Sequence, residues 1–205
     1  MFIAFILVLI YLIKIISISE ITITIKGTGE QKIINNLPIN GYEIDLKPSR
    51  ILINNIPQDY TDYTVRDLIN EENNITMIWD YDLDNCNAMF YSLGNIISVD
   101  LSNFDSSHVT IMRDMFYDCI SLTSINLNNF ITSSVNHMGG MFYNCKSLTS
   151  IDLSNFDTSS VTNFEKMFSY CISLESLNIN KVGAPITLLL RQLLILDICF
   201  HIVKD

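Results

Sequence analysis

Three cysteines recur at equal intervals, at Cys119, Cys145 and Cys171, and they are the first residues in this chain that could do chemistry. Regularly spaced thiols can pair as disulfides, hold a soft metal or act as nucleophiles. Thiolate metal sites want C-x-x-C pairs or accompanying His, and the ladder has neither. If the three Cys end packed helices, the helices lie about 8–10 Å apart. A disulfide needs its Cα atoms within about 7 Å. The ladder therefore reads as buried free thiols, which behave as small hydrophobes. Cys86 takes the place of Met112 in an earlier unit and is expected in the core, whereas Cys199, in the tail, is the one expected to be exposed.

The remaining candidate groups are sparse. His108, His137 and His201 share no common phase, and no nucleophile elbow, zincin, P-loop or dinucleotide motif is present. Asp100 and Asp152 share a phase with Asn126 and Asn178. Paired carboxylates suggest glycoside hydrolysis, but that chemistry needs fixed separations across a cleft, which a short open array does not supply. No enzyme activity, cofactor or metal is expected. Asn74-Ile75-Thr76 is an N-glycosylation sequon, a short pattern that often matches by chance.

The elements that position these residues follow from the repeat. Met89-Phe90, Met115-Phe116, Met141-Phe142 and Met167-Phe168 recur at intervals of 26. In each unit one set of apolar residues falls at offsets 0, 3, 7 and 10, as in Val161, Phe164, Phe168 and Cys171, the spacing of one helical stripe. Leu83, Cys86, Phe90 and Leu93 carry the same pattern in the first unit. The other part, "SLTSIDLSNF", sets Ile151 and Leu153 on one face of a short strand. Asp157, Thr158 and Ser159 supply turn chemistry between them. The expected fold is thus α/β, a short leucine-rich-repeat-like solenoid of about four strand-turn-helix units.

"MFYNCKSLTSIDLSNFDTSSVTNFEKMF" resembles the 26-residue repeat of microbial surface proteins related to the BspA-like leucine-rich repeats. The resemblance covers roughly Leu83 to Asn180, with the first copy departing at Leu93 and "GNIISVDL". It implies a secreted or cell-surface protein engaged in adhesion or partner binding.

Around the repeats, residues 1–19 read as a signal peptide, or as an uncleaved anchor, with a cleavage point near Glu20. Residues 20–81 read as a β-rich N-terminal cap: Ile21, Ile23 and Ile25 alternate with Thr22 and Thr24, Lys32 to Ile34 return as a second strand, and Arg50–Ile56 and Asn73–Trp79 are strand-like. Residues 82–180 are the repeats, and 181–205 form an apolar tail: a capping helix, a membrane span over Ile186 to Val203 that Arg191, Asp197 and His201 make costly, or a degenerate or truncated end. The net charge of -10 argues against nucleic acid and anionic lipid as partners. The surface best suited to a ligand is the strand face, expected to be concave, where short polar residues point outward: Ser98, Asp100 and Ser102, then Ser124, Asn126 and Asn128, then Ser150, Asp152 and Ser154, then Ser176 and Asn178. Two functions compete on this evidence. One is binding of a protein or glycan through that face, and the other is a structural spacer or coat without a specific ligand.

Overall fold

A computed structural model describes residues 18–35, 45–179 and the strand His201–Val203. The expected signal segment and most of the tail, on which the expectation of a capping helix falls, lie outside the described residues. The strands are β1 (Ser19–Lys26), β2 (Gly29–Lys32), β3 (Arg50–Ile53), β4 (Ile56–Pro57), β5 (Thr64–Leu68), β6 (Glu72–Trp79), β7 (Ile96–Asp100), β8 (Ser124–Asn126), β9 (Ser150–Asp152), β10 (Ser176–Asn178) and β11 (His201–Val203).

The expected α/β fold is overturned, because the described residues contain no helix. The offsets 0, 3, 7 and 10 do mark buried positions: Val161, Phe164, Phe168 and Cys171 are all at most 5% exposed. What fills that stretch is a chain of tight turns, whose backbone bonds run to the next repeat. The N–H groups of Met112, Asp114, Phe116 and Asp118 donate to the carbonyls of His137, Gly139, Met141 and Tyr143 at 2.8–3.0 Å. Met138, Gly140, Phe142 and Asn144 repeat the pattern onto Asn163, Glu165, Met167 and Ser169. A helix would direct these donors back along its own chain.

Two residues per unit forbid that helix. Ala88, Asp114, Gly140 and Lys166 share one phase and have φ between 54° and 65°. Ser92, Asp118, Asn144 and Tyr170 share another, with φ between 58° and 64°. A left-handed residue every few positions reverses the winding and turns the stretch into a coil wall. At Gly140 the choice of glycine is also steric, since a Cβ there would overlap Asp114 Oδ1.

Stacked coils bring identical residues into register, so the core is a set of ladders. Phe90, Phe116, Phe142 and Phe168 stack with ring centroids 5.3–5.5 Å apart. Phe104, Phe130 and Phe156 form a second ladder at 5.8–6.2 Å, and Trp79 of the cap meets its first ring edge-on. Tyr91, Tyr117 and Tyr143 stack outside the core at 4.3–4.8 Å. Each ring hides its faces behind its neighbours, which holds the coils in register.

The cap joins the array through one sheet, in the order β4-β3-β6-β1-β7-β8. β1 pairs antiparallel with β6 and with β7, burying Ile21, Ile23 and Ile25 on one side. The second strand expected at Lys32 to Ile34 lies earlier, as β2, with Ile33 and Ile34 beyond its end, and it pairs with β5 in a separate two-stranded sheet. Gly27 and Gly29, both at positive φ, divert the chain. The Arg50–Ile56 run is a hairpin, β3 to β4, turned by Asn54 and Asn55 with φ of 50° and 68°. β7 pairs in parallel with β8, and β9 with β10, while β8 lies beside β9 without a strand ladder.

Candidate functional site

Because Ile21, Ile23 and Ile25 face the core, Thr22 and Thr24 must face outward, and the register of the sheet sets polar residues beside them. Two cross-strand rows result. One runs Thr76, Thr22, Asp100, Asn126 and the other Asn74, Thr24, Ser98, Ser124. Ser98 Oγ donates to Thr24 Oγ1 at 2.8 Å, and Thr24 Oγ1 donates to Asn74 Oδ1 at 2.9 Å. Thr22 and Thr76 hydroxyls lie 2.9 Å apart, and Asn126 Nδ2 donates to Asp100 Oδ1 at 3.0 Å. Thr22, Thr24, Asn74, Ser98, Asp100, Ser124 and Asn126, with the edges of Val99 and Ile125, line an open groove of about 390 Å³.

Of the residues expected on this face, Ser98, Asp100, Ser124 and Asn126 come together in the groove. Ser150, Asp152, Ser176 and Asn178 continue the face on β9 and β10. Ser102, Asn128 and Ser154 sit just beyond their strands, where their N–H groups donate to the Oδ1 atoms of Asp100, Asn126 and Asp152 at 2.8–3.1 Å. The backbone N–H groups of these three residues thus close the turns after β7, β8 and β9. Sequence reasoning missed Thr22, Thr24, Asn74 and Thr76, which bring the cap into the site. The alternation Thr-Ile-Thr and Asn-Ile-Thr carried that signal, but the antiparallel pairing that aligns them did not show.

The sequon residue Asn74 is exposed on β6 and belongs to the groove, accepting from Thr24. Cys119, Cys145 and Cys171 are buried free thiols. Their Sγ atoms donate to the carbonyls of Phe90, Phe116 and Phe142 at 2.9–3.2 Å. Burial raises all three thiols, Cys171 to about 12, so none offers a thiolate at neutral pH. The helix-spacing reason for leaving them unpaired does not hold, since coils stack at strand spacing, about 4.8 Å. What occupies each sulfur is a carbonyl of the preceding coil.

A second group also escaped sequence reasoning. Asp82, Asp105 and His108 bring ligand atoms within 4.8 Å of one another. Asp82 and His108 hold the same place in successive repeats, so stacking superposes them. His108 Nδ1 is 3.2 Å from Ser107 Oγ and 3.8 Å from Asp82 Oδ2. A relay from serine to carboxylate uses both ring nitrogens. Here both partners approach the same one, so the imidazole cannot pass a proton between them.

The family described as Mycoplasma protein of unknown function, DUF285, matches residues 71–183, more than half of the chain. The chain belongs to this family. No curated protein and no solved structure matches it. The matched span opens just before β6, so DUF285 takes in one strand of the groove from the cap side together with β7 to β10.

Proposed function

We propose that this DUF285 protein is a non-enzymatic binding module, secreted or held at the cell surface, that engages a protein or glycan through its strand face. The observation that carries the reading is the groove: four adjacent strands present a continuous field of hydroxyls and carboxamides with one carboxylate, Asp100. Short side chains of this kind hydrogen-bond a polar ligand with little loss of rotamer freedom. The resemblance to BspA-like surface repeats supports the setting, and the net charge of -10 disfavours phosphate-bearing polymers as the ligand.

The spacer reading draws on a different observation. Asp100, Asn126 and Asp152 each spend an oxygen on a turn, so a coil needs them whether or not a ligand exists. Alanine at these three positions would therefore weaken the coil and the groove together. The cleaner test uses Ser124 and Ser150, both exposed. Ser124→Arg and Ser150→Arg fill the face without touching the turns. On a glycan and surface-protein array, the binding module loses at least about tenfold in its strongest signal with either variant. Equal signals from wild type and both variants, or no signal above background from wild type, reject binding through this face. Protease shaving of intact cells carrying a tagged chain tests the location: a tag that survives shaving rejects surface display.

A further inference from the structure

The strand face carries more charge than its turns require. After β7 and β9 the turn is closed by a carboxylate: Asp100 Oδ1 accepts Ser102 N at 2.9 Å, and Asp152 Oδ1 accepts Ser154 N at 2.8 Å. After β8 a carboxamide makes the same bond, Asn126 Oδ1 accepting Asn128 N at 3.1 Å. A neutral oxygen therefore suffices to close the turn. Asp100 and Asp152 add negative charge beyond that need, in a chain whose net charge is -10. Further like charge raises self-repulsion, so the coils gain nothing from it.

Both carboxylates are exposed on the outward side of their strands. Among the described residues neither forms an ion pair. The side chains that share the groove with Asp100, from Thr22, Thr24 and Asn74 to Ser98, Ser124 and Asn126, are all neutral. A ligand lying there meets an uncompensated carboxylate among neutral hydrogen-bonding groups.

Register sets the spacing of the two charges. Asp100 lies opposite Asn126, β8 lies beside β9, and Asp152 holds the next place in the same row. Two strand spacings of about 4.8 Å put the carboxylates about 10 Å apart. An extended polypeptide meets that spacing: in a polyproline-II segment, residues i and i+3 point the same way about 9.3 Å apart. We infer that the partner of the strand face is a basic polypeptide segment running across the strands, with Lys or Arg side chains at Asp100 and Asp152 and its backbone against the neutral groups between them. This rests on the binding reading above and names the class of partner within it. The two carboxylates set the segment's register through charge, and the hydroxyls and carboxamides supply hydrogen bonds.

Fluorescence anisotropy on the full chain tests this with two labelled peptides of equal length, repeats of Lys-Pro-Pro and of Glu-Pro-Pro. The Lys peptide binds and the Glu peptide does not. The double variant Asp100→Asn with Asp152→Asn keeps an oxygen for each turn, as Asn126 does, and weakens the Lys peptide at least about tenfold. Glu30→Gln with Asp67→Asn removes the same charge from β2 and β5, away from the face, and leaves affinity within about twofold. Equal weakening by the two double variants marks attraction to bulk charge and overturns the inference. Unchanged affinity in the first variant, or no binding of the Lys peptide by wild type, also overturns it. The binding reading is judged apart from this: a glycan or surface protein from the array that is lost on Ser124→Arg upholds that reading while the basic partner falls. Should the double variant fail to fold, Asp100→Asn and Asp152→Asn singly decide the matter, each weakening the Lys peptide at least about threefold.

Discussion

Gly140 offers a measurement in which a coil and a helix predict opposite signs. In an exposed helical stretch, Gly140→Ala would stabilise by about 1 kcal/mol. In the coil the residue has φ of 65°, and its Cβ would overlap Asp114 Oδ1. Left-handed backbone costs an alanine about 1–2 kcal/mol. Moving the half-buried Asp114 carboxylate aside, with its 3.0 Å bond from Arg113 Nε, costs about 1–2 kcal/mol more as local overpacking. The expected loss is therefore about 2–4 kcal/mol. With a urea slope of about 2 kcal/mol/M, the midpoint falls by about 1–2 M. Trp79, the single tryptophan, is fully buried against Phe104 and reports unfolding by fluorescence. The companion change Lys166→Gly relieves the same backbone strain at an exposed site (φ 59°) and raises stability by about 0.5–1 kcal/mol. An unchanged or raised midpoint for Gly140→Ala would refute the coil assignment.

Phe142 lies between Phe116 and Phe168 in the central ladder, so Phe142→Ala is expected to cost about 3–5 kcal/mol in the same urea assay, and a loss under about 1 kcal/mol would count against the stacked core. Cys86, Cys119, Cys145 and Cys171 are raised by burial, so a thiol reagent at about pH 8 should leave them unmodified until denaturant is added; fast native labelling of any of the four would contradict the buried ladder. His137 lies below its ordinary 6.5 because burial and Arg113 disfavour the imidazolium, with Asp114 opposing, and its Nδ1 accepts Gly139 N at 3.2 Å. The unfolded chain therefore binds the proton more readily, so His137 costs stability as pH falls below 6.5, and none above it. Asn85 and Asn163 make the same contact in their coils, to Asn87 and Glu165, so His137→Asn should preserve stability at neutral pH and flatten its decline on acidification; an unaltered pH profile would reject the assignment.

Much of this protein is legible in its sequence because a core shared by stacked copies must repeat. The repeat period identifies which residues are buried, from Leu83 to Ile179, and the alternation in β1 and β6 identifies two strands of the cap. The polar strand face follows from the same alternation, since neighbours of Ile151 and Leu153 must point the other way. The winding of the other half of each unit was not legible, because offsets of 3, 4 and 7 suit successive tight turns as well as a helix. Asp114, Gly140, Asp118 and Asn144, residue types that tolerate positive φ at two fixed phases, were a faint sequence sign of turns. Ala88, Lys166, Ser92 and Tyr170 at those same phases obscured it. What decided the matter was where each backbone donor finds its acceptor. Phe116 N reaches Met141 O in the next coil, an acceptor that exists only once the copies stack. Stacking likewise set the cap's Thr22 and Thr24 beside the repeats' Ser98 and Asp100, so the sequence named the polar residues and the tertiary structure decided which of them share a groove.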